Sequence, residues 1–414
     1  KVWIQLEDST PLLEGSHAYG DVVQNTTPMP RIERNEDNIY MLYTGGTTGM
    51  PKGVMYTHGG FVNSMLKTLK GMGVDVPDEL ADIKDTILNL HENGELAKSF
   101  VACPLMHGTG MWLGGFLSHL LGGCVVTTPN LGLDTQLLWK EVERVGITNI
   151  IIVGDSFAKP MVKELDRAVA ENKPYNLETL KLIYSSGVMF SADVKASLLD
   201  HHDMVLMDAM GSSEGGMGSS VTTREDGAAT AKFRLNPGVV VVSDDGEEVL
   251  PGSGVRGLIG TSGLVPEGYY KDKEKSDATF KEFNGTRYSF PGDYALVEAD
   301  GTITLLGRGS NCINSAGEKI YPEEVEEALK LNSNVYDSLV VGLPDERFGN
   351  KVVGVVSLVE NCEIDEAELI SSTREHLSGY KLPKNIIFVS EVMRAPNGKA
   401  DYKWAKKVAE AELI

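Results

Sequence analysis

Residues 43–53 read YTGGTTGMPKG, three threonines and three glycines ahead of a Pro-Lys-Gly end. Side chains this small let backbone N–H groups approach phosphate oxygens; the threonine hydroxyls add donors and Lys52 adds a cation. Thr44, Gly45, Gly46, Thr47, Thr48, Gly49 and Lys52 are therefore the candidate phosphate contacts. The segment is not the P-loop of the common nucleoside triphosphatases, because Pro51 stands where that motif needs a glycine. Two glycines alone would make an ordinary turn, so the hydroxyls and the lysine carry the phosphate reading.

The loop is flanked as an α/β layer requires. NIYMLYT (38–44) precedes it with strand character, and Phe61, Val62, Met65, Leu66 and Leu69 follow at helical spacing. Leu137, Leu138, Val142 and Val145 mark a second amphipathic helix ahead of the strand-like run 149–153. The runs 180–184 and 204–207 repeat the strand pattern, with Ser191 between them as N-cap of a helix through Leu199. Strands alternating with helices predict a layered α/β domain with much parallel sheet and a ligand crevice beyond the strand C-termini. Glycine- or serine-bearing turns fall at such strand ends, at 44–49, 185–187 and 211–216, and nominate one composite site. From 232 to 306 short, glycine-punctuated strands predict a β subdomain. GRGSN (307–311) reads as a junction. Beyond it Pro322 suits the first position of a helix carrying Val325, Ala328 and Leu329. Strand-like runs follow at 336–342, 352–358 and 385–389, with a helix near 365–377. The predicted architecture is a large α/β domain over 1–311, with its β subdomain over 232–306 and a hinge at 307–311, then a small mobile α+β domain over 312–414.

The 414 residues carry 38 basic and 59 acidic side chains, a formal charge of −21, which speaks against a partner held by its nucleic-acid backbone. A polyanionic ligand must be held by a local site against that field. With 42% hydrophobic and 23% charged residues, the chain has the composition of a folded protein. The apolar stretch 111–126 is short, holds Ser118 and His119 and is glycine-rich, so no transmembrane segment is expected. Peripheral membrane contact and a homodimer stay open. Cys103, Cys124, Cys312 and Cys362 are widely spaced and read as reduced, mostly buried thiols of a cytoplasmic protein. The chain begins at Lys1 without a signal-like segment, and is expected to start inside a longer protein.

Four later segments bear on chemistry. MGSSEGG (210–216) sets Glu214 in a glycine–serine turn. Alone, such a glutamate is more often solvated; beside phosphates it makes sense with a cation between, which nominates it as a magnesium ligand. SSGVMF (185–190) is a strand-ending turn, YSFPGDY (288–294) carries Asp293, and LGRGSNCINSAGEKIYPEEVE (306–326) carries Arg308. Taken singly, Asp293 is a turn residue, Arg308 a surface cation, Lys399 of APNGKADYKWAKK (395–407) a solvated lysine and His107 of PLMHGTGMW (104–112) a packed or solvated histidine.

In their order along residues 38 to 407, these motifs resemble those of the adenylate-forming enzymes: acyl-CoA synthetases, firefly luciferase and the adenylation domains of peptide synthetases. The 43–53 loop is similar to that family's Ser/Thr/Gly loop, and MGSSEGG to its aromatic-Gly-Ser-Thr-Glu motif with Met210 in the aromatic place. SSGVMF stands where the family has Gly-Gly-Ala-Pro, and YSFPGDY resembles its Thr-Gly-Asp motif with Pro291 for threonine. The resemblance implies a nucleotide site in which Ser186, Gly187 and Val188 wall the base and Asp208, Ala209, Met210 and Gly211 are further nucleotide contacts. Ser213 reaches phosphate, Glu214 binds Mg2+, and Asp293 and Arg308 hold the ribose. Lys399 bridges a substrate carboxylate and the α-phosphate. Asn311 takes the hinge place where the family has an acidic residue, and asparagine tolerates unusual backbone dihedrals nearly as well. Ala316 and Gly317 lie on the loop lining the pantetheine channel, and His107 gates the acyl and CoA channels.

The implied activity is that of an ATP-dependent acid–CoA ligase in fatty acid metabolism, with ATP, Mg2+ and coenzyme A as its cofactors and co-substrates. A carboxylic acid becomes acyl-AMP with release of pyrophosphate, and the acyl group then passes to CoA. CPLMHGTGMWLGGF together with the hinge segment is most similar to actinobacterial fatty-acyl and steroid-acid CoA ligases, which implies a long-chain or bulky, steroid-derived acid. Two rivals remain: transfer of the acyl group to another acceptor, or a truncated, non-catalytic nucleotide-binding homologue.

Overall fold

The computed structural model describes residues 2–6, 10–44, 51–130, 132–225, 227, 232–315, 318–395 and 398–413. Asn149–Ile152 ends in three isoleucines with no more than 2% of their surface exposed. Runs that are dry on both faces belong in the middle of a parallel sheet. This one lies between Lys98–Val101 and Leu182–Ser186, with Cys124–Val126 outside the first and Val205–Ser212 beyond the second, all parallel. Val205–Ser212 then turns back as Gly215–Thr222, and the ladder continues antiparallel through Lys232–Leu235, Thr302–Arg308, Asp293–Val297 and Arg256–Thr261. Apart from Gly268–Tyr269, the glycine-punctuated strands between residues 232 and 308 are thus hydrogen-bonded into the same 13-stranded sheet as the parallel strands.

The strand before the glycine–threonine loop lies elsewhere. Ile39–Thr44 pairs antiparallel with Lys52–Thr57, and that strand with Gly268–Tyr269, in a separate three-stranded sheet. Strand–turn–helix order does not distinguish a parallel strand from the first arm of a hairpin, and the second arm begins inside the Pro-Lys-Gly end of the motif. Thr44 and Lys52 are partners across this ladder, so residues 45–51 connect a hairpin.

Helices cover the parallel strands. His58–Gly71 starts at Thr57, whose hydroxyl accepts the N–H of Gly60, and it buries Phe61, Met65, Leu66 and Leu69 along one stripe. Thr135–Val145 starts at Asp134, which accepts the N–H of Leu137, and buries Leu138, Trp139 and Val142 completely. Each such side chain contributes about 2 kcal/mol of apolar burial. Ala192–His201 follows Ser191 as N-cap, although the serine hydroxyl makes no cap hydrogen bond. Thr109–Phe116 is a π-helix, a form that spacing rules do not foresee.

After the short 3₁₀ turn Gly309–Asn311, the cores are separate from those before it. Val335–Asp345, Gly349–Leu358 and Asn385–Val389 form a three-stranded sheet that sorts its side chains by alternation. Val340, Val352 and Val356 pack with Val325 and Leu329 of helix Pro322–Lys330, while Leu339, Val341, Leu343, Val353 and Val355 pack with Ala405 and Ala409 of Tyr402–Leu413. No helix among the described residues is long and apolar enough to cross a membrane. The cysteines are free, but only Cys103 is buried; Cys124 is exposed at the start of an edge strand and the other two are half-buried, correcting the expectation of mostly buried thiols.

Candidate active site

The tight turn between Val205–Ser212 and Gly215–Thr222 carries Ser213 and Glu214. Two tyrosines from the small three-stranded sheet hold it. Tyr56 donates its hydroxyl to the Ser213 carbonyl at 2.8 Å, and Tyr269 donates to Glu214 Oε1 at 2.7 Å. Both rings are buried, at 2% and 5% exposure, as is Glu214 at 8%. Burial, and after it the Glu214 charge, pushes the Tyr269 hydroxyl pKa up, so that it stays a donor. Lys52 Nζ lies 5.3 Å from the centroid of the Tyr269 ring, which places the loop lysine beside the same tyrosine.

Asp293 and Arg308 face one another across adjacent antiparallel strands, Arg308 Nε donating to Asp293 Oδ1 at 3.2 Å. Asp293 Oδ2 is buried and has no hydrogen-bond partner among the described residues. Burial raises the Asp293 pKa, with Arg308 pulling the other way. A buried acceptor without a donor is a place prepared for a ligand hydroxyl.

Lys399 arrives from beyond the junction, at the end of a turn closed by Gly398 N–H donating to the Ala395 carbonyl and Ala395 N–H donating to the Lys399 carbonyl. Gly398 has φ +76°, and a Cβ there would stand 2.5 Å from Ser156 Oγ and 3.3 Å from Val153, so only glycine lets this turn lie against helix Gly154–Ala170. Lys399 remains exposed along its length, yet enough protein surrounds its ammonium that burial lowers its pKa, reinforced by the like charge of Arg308 and opposed by Glu214 and Asp293. His107 is lowered by burial and then by Lys399. The structure thus brings Glu214, Asp293, Arg308 and Lys399 within electrostatic reach of one another, with His107 beside Lys399 alone. In a chain of formal charge −21, local cations beside a buried carboxylate make a site for a polyanion with its counter-cation.

Ser186 ends a parallel strand, with Ala209 as its ladder partner, and Gly187 and Val188 follow it. The turn they form is backed by Gly154, where a Cβ would stand 2.3 Å from the Met189 carbonyl oxygen. Alternation puts Asp208 and Met210 on the strand face opposite Ala209 and Gly211. Asp208 meets Lys195 at 3.6 Å, its pKa pushed up to about 7 by burial, and Met210 packs into an apolar core with Met217 and Ile259. Neither joins the cluster. Asn311 donates through Nδ2 to Glu323 Oε1 at 3.2 Å. Gly45, Gly46, Thr47, Thr48, Gly49, Ala316 and Gly317 lie outside the described residues.

Sequence reasoning missed Tyr56, Tyr269 and Ser156. Tyr56 shares a strand face with Lys52 at a separation of four, the one periodicity that could have found it. Tyr269 sits in a two-residue strand and has no such signal. Among the described residues no group of three or more His, Cys, Asp or Glu side chains could hold a metal by itself. A lone buried carboxylate still fits magnesium, which takes one or two carboxylates and completes its shell with phosphate oxygens and water.

Residues 2–270 match the family model of the AMP-binding enzymes, and residues 324–399 match that of the AMP-binding enzyme C-terminal domain. Over 98% of its length the chain is 41% identical to a 3-oxocholest-4-en-26-oate–CoA ligase of Rhodococcus rhodochrous, spanning 73% of that protein. It is 42% identical, over 91% of its length and 68% of the relative's, to a medium/long-chain-fatty-acid–CoA/3-oxocholest-4-en-26-oate–CoA ligase of Mycolicibacterium smegmatis. Among solved structures, ATP-bound MatB of Rhodopseudomonas palustris superimposes with a TM-score of 0.76 at 21% identity, over 97% of this chain and 74% of that one. The anthranilate CoA ligase AuaEII with anthranoyl-AMP gives 0.76 at 20% identity over the same shares. At those identities the last two speak for the fold alone.

Proposed function

This chain belongs to the AMP-binding enzyme family, and on that footing we propose that it is an AMP-forming acid–CoA ligase for long-chain fatty acids or bulky, steroid-derived acids. The observation that carries the reading is the convergence of Lys399, from beyond the 307–311 junction, on Asp293, Arg308 and Glu214. The acid class is supported by the fatty- and steroid-acid CoA ligases that are 41% and 42% identical to this chain.

In the first half-reaction the substrate carboxylate attacks the α-phosphorus of ATP, giving acyl-AMP and releasing pyrophosphate. The work for the protein is orientation and charge neutralisation. Lys399 bridges the incoming carboxylate and the α-phosphate. Asp293 accepts a ribose hydroxyl on its partnerless Oδ2, and Arg308 fixes Asp293 from the other side. Ser186, Gly187, Val188, Ala209 and Gly211 wall the base. Thr44, Lys52 and Ser213, with the loop that Thr44 and Lys52 bracket, take the β,γ end. Glu214, held by Tyr269, would hold Mg2+, which when bound supplies neutralising charge to the phosphates. For the second half-reaction the small domain, 312–414, turns about Asn311 and withdraws Lys399 while the loop with Ala316 and Gly317 comes in; the CoA thiol then attacks the acyl carbonyl and AMP departs. His107, which feels the charge of Lys399, gates the acyl and CoA channels. We place the reaction in the cytoplasm, where four free thiols stay reduced.

Mass spectrometry on protein incubated with Mg·ATP, CoA and a pool of short, long-chain, aromatic and steroid-derived acids tests this directly. AMP appearing with a long-chain or steroid-derived thioester is the expected outcome. AMP without any thioester would replace CoA by another acceptor, and ATP binding without AMP would overturn the enzymatic role.

A further inference from the structure

Helix Gly154–Ala170 presents Ser156, Lys159 and Lys163 along one stripe, at the three- and four-residue spacing that stacks side chains on a helix face. Each meets the chain beyond the junction. Ser156 Oγ lies where a Cβ on Gly398 would collide, at 2.5 Å. Lys159 Nζ donates to the Tyr336 carbonyl and stands 5.1 Å from the centroid of that ring. Lys163 Nζ is 3.5 Å from Glu360, both side chains open to solvent. The Lys159 contact leads onward: Asp337, next to Tyr336, takes two hydrogen bonds of 2.7 Å from Arg394, and Arg394 Nη1 donates to the Gly398 carbonyl at 3.2 Å. Lys159 is therefore three hydrogen-bonded links from the peptide that carries Lys399. Its ammonium faces charges of both signs from the small domain, Lys330 as well as Asp337 and Glu327, and Asp155 from its own helix.

We propose that Lys159 is a positioning residue for adenylation: with Ser156 and Lys163 it makes a docking strip that seats the small domain so that Lys399 enters the nucleotide site. This rests on the role of Lys399 given above. Rotation of the small domain away from helix Gly154–Ala170 breaks this contact, so it favours the adenylating arrangement over the thioester-forming one. A contact made in one of two states shifts their populations by the difference it makes and by nothing more.

The half-reactions separate this from a merely structural role. With 3-oxocholest-4-en-26-oate and palmitate as probes, Lys159→Ala is expected to lower acid-dependent pyrophosphate–ATP exchange about tenfold, the scale of one coupling contact. Thioester formation from supplied acyl-adenylate is expected to be unchanged or faster, with an unaltered melting temperature. Lys159→Arg should restore exchange, and Lys163→Ala, at an exposed pair, should cost less than twofold. Equal loss in both half-reactions would overturn the proposal. If Lys399→Ala retained exchange, the role of Lys399 would fall instead, which keeps the two failures apart. A second measurement needs no acid: zero-length carbodiimide coupling of Lys163 to Glu360 in Mg·ATP, read by peptide mass spectrometry. The cross-link is expected in the unmodified enzyme and at reduced yield in Lys159→Ala. Its absence from the first, or equal yield in both, would overturn the proposal.

Discussion

The two halves of the site are built on opposite principles. Glu214, Asp293 and Arg308 sit on or beside paired strands of one continuous sheet, each fixed by a partner within hydrogen-bonding distance before any ligand arrives. Lys399 sits on a turn whose place depends on Gly398 meeting Ser156 across a boundary between cores. The first half is set by folding and the second by docking. On the proposed mechanism the nucleotide-holding end gains from preorganisation, while the cation of Lys399 leaves when its step is done.

Removing the docked half should have the largest effect. Lys399→Ala is expected to cut pyrophosphate–ATP exchange by roughly 10²–10³-fold, the scale for one transition-state charge partner. Thioester formation from supplied acyl-adenylate should survive, and loss of both would erase the distinction between the halves. Cutting into the fixed half should act on binding. Arg308→Ala leaves Asp293 without its cation, and KM for ATP should rise about ten- to a hundredfold, as for loss of a charged hydrogen bond. The comparison sharpens if that rise appears equally with Lys399→Ala as background.

A pH profile distinguishes the halves next. Lys399 has its pKa lowered from the ordinary lysine value of 10.5 by burial and Arg308. The ammonium is the working form, so exchange should fall about tenfold per unit as pH rises through that lowered value, below 10.5, while thioester formation from supplied adenylate shows no such limb. The sign for docking is opposite. A base whose pKa is lowered in the docked state binds fewer protons there, so without nucleotide the Lys163–Glu360 cross-link yield should rise with pH over the same window. The smallest effect is expected at the hinge. Asn311 donates to Glu323, whose pKa burial raises; Asn311→Asp sets a second carboxylate there and should slow exchange roughly fivefold, less where Glu323 takes up a proton.

Legibility in the sequence followed the same division. Asn149–Ile152 and Leu182–Ser186 are parallel strands, and the short apolar runs 149–153 and 180–184 between helical patterns showed them as strands. Val335–Asp345 and Pro322–Lys330 were equally plain, because alternation and an N1 proline are local facts. The hairpin of Ile39–Thr44 with Lys52–Thr57 was not, since its pairing runs across the very motif that drew attention. The residues at Glu214, Asp293, Arg308 and Lys399 came from motif resemblance, while Tyr269, 55 positions from the carboxylate it holds, left no trace at either end. Asp208 and Met210 show the cost of carrying a motif over whole: a strand offers a ligand only every second residue. Lys159 had a visible helical stripe but no visible partner, because Tyr336 is brought to it only by the meeting of two cores.

One feature of the small three-stranded sheet bears on ligand affinity. Thr44 and Lys52 are ladder partners, so the ends of the seven-residue connection between them are held about 5 Å apart whether or not a ligand is present. The entropy of bringing those two ends together is already spent in forming the hairpin. Lengthening the loop by a residue or two would therefore change closure by only a few tenths of a kcal/mol, because that cost grows with the logarithm of length. Whatever such an insertion did to nucleotide affinity would measure the geometry of the phosphate contacts themselves.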